Sequence, residues 1–235
     1  MKKIFFLLVT IILFSCGELQ QIAKEYNLSE GLGNEQIAEA LKQALNQGID
    51  REVSKLMKVG GFYNQPDVRI LWPEELQQVD KTLRKIGLGS LADEGIKKLN
   101  RAAEEAVKEA KPIFVDAIKQ MTFQDAKNIL MGGDNAATEY LKKTTTDKLY
   151  QKFYPVVQNS FKKVGADQIW NQIISRYNKV PFVQKVNPDL NDYVTRKALE
   201  GVFKKIEVEE KKIRSDVQER TTDLMKKVFA LQDKK

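Results

Sequence analysis

The sequence predicts an all-α protein, an irregular bundle of helices with one ordered extended loop at Gly60–Pro73. Three observations support this fold class. Apolar residues recur every three or four positions through most of the chain, which is the period of an amphipathic helix. These apolar stretches end at glycines and prolines, the residues that stop helices. Alternation of apolar and polar residues, typical of a strand, is confined to Val68–Trp72, and no internal repeat is present.

Residues 1–15 are predicted to be a lipoprotein signal peptide. Lys2 and Lys3 form a basic start, and Ile4–Phe14 is an apolar run too short to span a membrane comfortably. The sequence Leu13-Phe14-Ser15-Cys16 resembles a bacterial lipobox. Because Cys16 is the only cysteine, we expect cleavage before it and acylation with fatty chains such as palmitate, each buried methylene contributing about 0.8 kcal/mol to anchoring. A cleaved secretory signal with an incidental cysteine is the alternative.

The residues after Cys16 predict where the mature protein is anchored. Gly17 follows the cysteine and Glu18 stands without an acidic cluster, a pattern that resembles lipoproteins of the outer membrane facing the periplasm. Residues 16–33 are predicted to be the lipidated cysteine and its tether. Residues 34–235 are predicted to be a single helical domain, with a sub-boundary near 181–189, where two prolines bracket a linker.

Composition limits the chemistry. The chain has no histidine, so Ser-His-Asp and Cys-His catalysis and the commonest metal ligand are excluded. Acylation of Cys16 would also remove the only thiol. We therefore predict no catalytic residues, no metal and no cofactor. Cleavage would lower the formal net charge from +7 to +5, which favours anionic lipid or cell-wall glycan over nucleic acid as a partner.

The first predicted helix begins with Asn34 as its N-cap and ends before the glycine pair Gly60-Gly61. A second helix carries Leu76, and a third begins near Ser90 and restarts at Pro112, in a first-turn position. The apolar stripe of the first helix consists of Ile37, Leu41, Ala44, Leu45, Gly48, Ile49, Val53 and Leu56.

The next helices are predicted from their caps. Thr122 begins a capping-box pattern, and Asp134 is expected to cap the following helix. A further helix is expected to begin within Thr144–Thr146, followed by a kink at Pro155 and another apolar stripe around Trp170.

The last helices begin near Leu190. Their charged residues include i,i+4 pairs, which most simply form a solvated face worth a few tenths of a kcal/mol per pair. The pairs are Lys205–Glu209, Glu207–Lys211 and Glu210–Arg214.

The loop between the first two helices is the strongest candidate site. Paired glycines allow positive φ and close backbone approach, and Pro66 and Pro73 favour extended backbone before them. Phe62, Ile70 and Trp72 are expected to plug the bundle, so that the loop in one interpretation only completes the core. In the other, it presents polar groups at the mouth of a pocket, with Arg69 gripping a carboxylate or phosphate. The candidate binding residues are Tyr63, Asn64, Asp67, Arg69 and Trp72.

Two weaker candidates lie at predicted helix starts. Asp134, Asn135 and Thr145 lie at two such starts, where free N–H groups attract an anion, although ordinary caps explain them equally well. Asp192 and Arg196 are four residues apart and can pair, and Tyr193 and Lys197 are similarly spaced. A Tyr–Lys pair can transfer protons, but this spacing is more often a surface contact.

Three segments carry a resemblance to a known family. They are Gly60-Gly61-Phe62-Tyr63-Asn64-Gln65-Pro66-Asp67-Val68-Arg69-Ile70, ILMGGDNAATEYLKKTT from Ile129 to Thr145, and LNDYVTRKALEGVF from Leu190 to Phe203. Together they resemble the bacterial envelope family labelled domain of unknown function 4197. The resemblance implies an exported, mainly helical protein and no particular reaction.

Two classes of function remain open. The first is an envelope lipoprotein that acts as a non-catalytic binding or scaffold module for another envelope protein, a lipid or a glycan. The second is a carboxylate enzyme acting on an envelope glycan, which needs two acids about 5–10 Å apart. The available acids are Asp67, Glu74, Asp134 and Asp192. A deep apolar cavity beside the loop would instead favour a protein that binds a hydrophobic ligand or lipid.

Overall fold

The computed structural model describes residues 32–85, 87, 89–163 and 189–233, and all regular secondary structure in them is helical. The predicted all-α fold is therefore confirmed. The signal peptide, Cys16, most of the tether, the stripe around Trp170 and most of the predicted 181–189 boundary lie outside the described residues. No helix in the described ranges has the length and apolar character needed to cross a membrane.

The helices follow the predicted order. Their bounds are α1 Asn34–Leu56, α2 Gln77–Lys85, α3 Gly89–Val107, α4 Ala110–Gln120, α5 Phe123–Met131, α6 Ala136–Lys162, α7 Leu190–Ser215 and α8 Asp223–Phe229, with short 3-10 helices at Glu74–Leu76 and Val217–Glu219.

Helix α7 lies at the centre of the bundle and packs against α6, α1 and α3. Every residue of the predicted apolar stripe of α1 is buried, which places that helix against the core along its whole length. Phe203 of α7 meets Phe114 of α4 edge to face, with ring centroids 5.9 Å apart. Burial of these apolar side chains from distant parts of the chain in one cluster stabilises the described helices as a unit.

Helix starts partly follow the prediction. The capping box at Thr122 is confirmed: its hydroxyl accepts from the Asp125 N–H at 3.1 Å, and the Asp125 carboxylate accepts from the Thr122 N–H at 3.0 Å. Pro112 lies in the first turn of α4, as predicted. Asn34 as N-cap of α1 is wrong by one residue, because Gly33 holds that position and its N–H donates to the Gln36 side chain at 3.0 Å.

The predicted helix start within Thr144–Thr146 is wrong, since α6 runs unbroken through these residues. The hydroxyls of Thr145 and Thr146 donate to backbone carbonyls one turn earlier, at 2.6 and 2.7 Å. A threonine can therefore satisfy its hydroxyl inside a helix as well as at its cap.

The loop after α1 has two parts. Gly60 adopts φ of +81°, and a Cβ on Gly61 would lie 2.4 Å from the Leu56 carbonyl oxygen, so both glycines are needed as predicted. Turns occupy most of the loop up to Val68, and the continuous stretch without turn or helix structure runs only from Arg69 to Pro73. The extended portion is therefore shorter than the predicted Gly60–Pro73.

The aromatic and aliphatic plugs of the loop fill the bundle largely as predicted. Phe62 and Ile70 are buried. Phe62 packs so closely on α7 that a Cβ on Gly201 would lie 2.7 Å from its ring. Trp72 is only partly buried and covers Gly95 of α3.

Candidate functional site

Two buried polar side chains of α3 attach the loop to the bundle. Asn100 accepts from the Ile70 N–H at 2.8 Å and donates to the Ile70 carbonyl at 2.7 Å. The Glu104 carboxylate accepts from the Phe62 N–H at 3.2 Å. Both side chains are almost completely buried, so these bonds are shielded from competing water and hold the loop backbone in one conformation.

Helix α7 holds the opposite side of the loop. The Tyr193 hydroxyl donates to the Leu71 carbonyl at 3.1 Å, and Lys204 donates to the Asp67 carbonyl at 2.8 Å. Lys205 pairs with the Asp67 carboxylate at 2.8 Å, and this hydrogen-bonded contact lowers the pKa of Asp67 below its usual value. Asp67 and Tyr193, predicted in separate candidate sites, thus both attach the loop to α7.

The outer side of the loop brings two cations to one aromatic ring. The Arg69 guanidinium lies 4.7 Å from the centroid of the Tyr63 ring, and the Lys97 ammonium lies 5.7 Å from it. Arg69 also donates through Nε to the Tyr63 carbonyl. Within the described ranges, the two terminal nitrogens of Arg69 and the Lys97 ammonium form no hydrogen bond or salt bridge. This arrangement can receive a carboxylate or a phosphate.

Lys97 was missed by the sequence analysis. It lies three residues before Asn100 and seven before Glu104, so all three project from one side of α3 towards the loop. Helical spacing would have identified Lys97 once the two buried polar residues were assigned to the loop. Of the remaining predicted residues, Asn64 is exposed and lies beside Gly60, whereas Trp72 packs on α3.

The start of α6, predicted as an anion site, already holds a carboxylate of the chain. Glu210 of α7 accepts from the N–H groups of Ala137 and Thr138 at 2.9 and 2.8 Å, and from the Thr138 hydroxyl at 2.7 Å. Asn135, rather than the predicted Asp134, occupies the N-cap position and makes no side-chain cap. Thr145 lies in the helix interior, two turns further along.

Arg214 completes this contact. Its guanidinium pairs with Glu210 at 2.8 Å and donates to the carbonyls of Ile129 and Leu130 at the end of α5. A negative charge thus meets the positive end of α6 while a positive charge meets the negative end of α5. The solvated face predicted for Glu210–Arg214 is therefore wrong, because both side chains are 7% exposed.

Of the other two i,i+4 pairs predicted on the solvated face of α7, one forms and one does not. Glu207 and Lys211 pair at 2.6 Å on the surface, as predicted. Glu209 does not pair with Lys205. It is buried and bonded to Arg51 of α1 at 2.8 Å. Spacing of four residues places two charges on one side of a helix, but it does not decide which neighbour they meet.

The start of α7 contains the predicted pair of Asp192 and Arg196, whose Nε–Oδ1 distance is 2.9 Å. Tyr150 of α6 donates to Asp192 at 2.6 Å, and the Arg196 guanidinium lies 5.3 Å from the Tyr150 ring centroid. Burial and this hydrogen bond raise the pKa of Tyr150 to about 12, so the phenol keeps its proton. Arg196 and Tyr150 border an open cleft of 290 Å³. The predicted proton-transfer partner Lys197 pairs with Glu200 at 2.6 Å.

Two of the candidate acids, Asp67 and Asp192, are held on separate parts of the bundle, and Glu74 is exposed at the start of the 3-10 helix. Asp67 is bonded to Lys205, and about 20 Å of helix separates that lysine from Asp192. This distance is well beyond the 5–10 Å that two catalytic carboxylates require. Asp134 lines another cleft of 380 Å³ together with Lys211 and Asp233. In the described part of the chain, no group of three or more acidic side chains is arranged to hold a metal ion.

Residues 31–230 match the family described as "Protein of unknown function (DUF4197)". The match contains the loop, the α5–α6 turn and the start of α7, the three segments that carried the resemblance. No curated protein matches the chain, and no solved structure matches it.

Proposed function

The chain belongs to the DUF4197 family, and from this premise we propose that it is a lipid-anchored envelope protein whose helical body is a non-catalytic binding or scaffold module facing the periplasm. Support for the anchor comes from the lipobox-like residues before Cys16, the only cysteine in the chain. Support for a non-catalytic role comes from the absence of histidine and from the separation of Asp67 and Asp192 on the bundle.

The observation that carries the binding role is the rigid loop. Buried Asn100 and Glu104 hold its inner side, while Arg69 keeps its terminal nitrogens on the outer side. A binding group held by a rigid scaffold loses little conformational entropy when a partner arrives. The loop is therefore the part of the molecule that we expect to meet the partner.

The anchor is tested by replacing Cys16 with Ser and separating cells into soluble and membrane fractions. We expect the variant protein to leave the membrane fraction, because the acyl chains supply the anchoring free energy. Mass spectrometry of the unaltered mature protein supplies the control and should find an acylated first residue. Unchanged sedimentation of the Cys16→Ser variant with membranes would contradict the anchor.

The binding role is tested by photo-crosslinking in cells. A photoreactive amino acid replaces the exposed loop residue Asn64, and another replaces the exposed Gln218 as a reference position. We expect a defined adduct at position 64 that Arg69→Ala abolishes and that Lys58→Ala, which removes a nearby exposed cation, leaves in place. Arg69→Ala should lower stability by only about 1–2 kcal/mol, because it removes one ring contact and one hydrogen bond from a partly exposed side chain. A marked loss of stability with unchanged crosslinking would indicate a loop that serves only the fold.

The alternative of a hydrophobic-ligand protein has less support. The apolar cavity between α1 and α7, lined in part by Leu41 and Ile206, has a volume of about 20 Å³. That volume suits about one water molecule and is far below the several hundred Å³ of a typical ligand pocket.

A further inference from the structure

We propose that the outer side of the loop docks on the surface of an anionic phospholipid bilayer. The docking surface, which we call the loop face, consists of Tyr63, Arg69 and Leu71 together with Lys97 of α3. This inference rests on the proposed lipid anchor, since the anchor places the helical body close to a membrane. It adds a second, reversible contact between the body itself and the lipid headgroups.

The backbone of the loop determines which side chains form this face. From Val68 to Leu71 the burial of the side chains alternates: Val68 and Ile70 are buried, Arg69 is partly buried and Leu71 is exposed. Ile70 points into the bundle, where Asn100 binds its backbone. Leu71 points outward and is 54% exposed, on the same side as Arg69. Tyr63 joins this side because it stacks on the Arg69 guanidinium.

The loop face is positively charged. Asp93 interacts electrostatically with Lys97, but its carboxylate is already paired with Arg84 at 2.6 Å. Arg69 and Lys97 lie over one tyrosine ring, and neither forms a salt bridge with a carboxylate among the residues that the structure describes. Each Lys or Arg near an anionic leaflet gains attraction to it, and a guanidinium can hold a phosphate with two hydrogen bonds.

The apolar and aromatic members favour a bilayer over an acidic protein. Leu71, two residues after Arg69, is exposed, and Val59, at the start of the loop, is 81% exposed. Exposed apolar residues on a loop that also carries a tyrosine and a cation are typical of a surface that enters the headgroup region of a membrane. The tether of 17 residues between Cys16 and Asn34 reaches at most ~60 Å, so the leaflet that holds the anchor stays within reach. Because the tether keeps the loop face at a high effective concentration near the bilayer, even a weak affinity for lipid is enough for the loop face to dock.

The test uses the mature acylated protein reconstituted in vesicles. Acylation occupies Cys16, so a cysteine introduced by Leu71→Cys is the only reactive thiol and can carry an environment-sensitive fluorophore. Val217→Cys provides a matched reference, since Val217 is 52% exposed and lies outside the loop. We expect a blue shift of the probe at position 71 in vesicles that contain phosphatidylglycerol, a smaller shift in phosphatidylcholine alone, and no shift at position 217.

Charge removal tests the named cations. Arg69→Gln and Lys97→Gln, each introduced with Leu71→Cys, should reduce the ratio of docked to undocked protein roughly fivefold. Lys119→Gln, which removes an exposed charge at the end of α4, serves as the control and should leave the ratio unchanged.

Four results would overturn the inference. These are the absence of any shift at position 71, equal shifts at positions 71 and 217, an equal shift on neutral and anionic vesicles, and a shift that requires soluble polyglutamate instead of lipid. The anchor and the docking can also fail separately. An acylated protein whose probe never shifts overturns docking and leaves the anchor standing. A Cys16→Ser protein that is not acylated, but whose probe shifts when phosphatidylglycerol vesicles are added, supports docking without the anchor.

Discussion

The Asn100 side chain forms the two backbone hydrogen bonds with Ile70 that a neighbouring strand would form in a sheet. Its amide accepts from the Ile70 N–H, donates to the Ile70 carbonyl and also donates to the Ile96 carbonyl of its own helix at 2.7 Å. A buried backbone group left without such a partner costs about 1–3 kcal/mol. One fully buried side chain therefore decides where the extended part of the loop lies.

The salt bridge of Asp67 predicts an acid-sensitive attachment of the loop. Because Lys205 lowers the folded-state pKa of Asp67 below its unfolded value, the stabilisation is complete above about pH 4 and is lost as the pH falls through the lower, folded-state pKa. We expect the free energy of unfolding of Asp67→Asn to fall less on acidification than that of the unaltered protein, because the variant has no carboxylate to protonate at this position. Urea unfolding of both proteins, from neutral to strongly acidic pH, measures the two free energies.

The control for this prediction is Glu74→Gln, which neutralises an exposed carboxylate in the adjoining 3-10 helix. Its acid profile should follow that of the unaltered protein more closely than the Asp67→Asn profile does. Equal profiles for Asp67→Asn and the unaltered protein would show that the Lys205 contact contributes nothing to stability.

The local features of the loop could be predicted from its own residues. The glycine pair, the two prolines and the buried Phe62 and Ile70 follow from local rules, because backbone freedom and apolar size act over a few residues. Asn100 and Lys97 were not predicted, since neither is adjacent to the loop in the chain. Their roles depend on α3 packing against a segment about thirty residues earlier.

At the scale of the elements, Glu210 and Arg214 join three helices at the α5–α6 corner. The carboxylate caps α6 and the guanidinium caps the end of α5, while both residues belong to α7. Capping by a residue from a distant helix ties the ends of two helices to the packing of a third. The local sequence at the start of α6 could not reveal this, because the capping residue lies more than seventy positions away.

Glu210→Gln is predicted to destabilise the fold by about 3–5 kcal/mol, because it leaves the buried Arg214 without its countercharge. Urea unfolding measures the free energy. Glu207→Gln breaks an exposed pair on the same helix and should cost no more than about 1 kcal/mol.

Adding Arg214→Met to the Glu210→Gln variant should recover part of the lost stability, since the uncompensated charge is then removed. Strictly additive losses for the two substitutions would show that the pair does not act as a unit.

The element boundaries illustrate how far local patterns extend. The stripe of α1 was predicted residue by residue, because its apolar period is long and uninterrupted. The start of α6 was predicted one residue early, with Asp134 instead of Asn135 as its cap. A second start was wrongly predicted within Thr144–Thr146, because a threonine inside a helix and one at its cap look alike in the local sequence. The charged surface of α7 was predicted as uniformly solvated, whereas the structure divides it between exposed Glu207–Lys211 and buried Glu210–Arg214.

At the scale of the whole molecule, the end of the chain closes the bundle. Helix α8 buries Met225, Val228 and Phe229 and packs against α1. Arg220, with a side chain 1% exposed, donates to the Ile213 carbonyl and pairs with Asp233 at 2.6 Å. The C-terminal segment thus belongs to the same apolar core as the first helix.

Asp233→Ala should lower the free energy of unfolding by about 1–3 kcal/mol, because part of the buried Arg220 guanidinium loses its partner. We expect one cooperative thermal transition at a lower midpoint, with far- and near-ultraviolet circular dichroism changing together. Asp116→Ala, at an exposed position of α4, should stay within about 0.5 kcal/mol of the unaltered protein. Early loss of α8 followed by a second transition would show that the C-terminal segment is an independent unit.

The Glu210–Arg214 contact, which stabilises the fold, is shielded from dissolved ions, whereas the charges of the loop face, which mediate docking, are exposed to them. The Debye length is about 3 Å at 1 M salt, so charges that face solvent are screened, while a pair whose side chains are 7% exposed is screened far less. Concentrated electrolyte should therefore release Arg69 and Lys97 from phospholipid and leave the α5–α6 corner intact. Ionic strength would then govern how long the body rests against the bilayer, while the bundle itself stays folded.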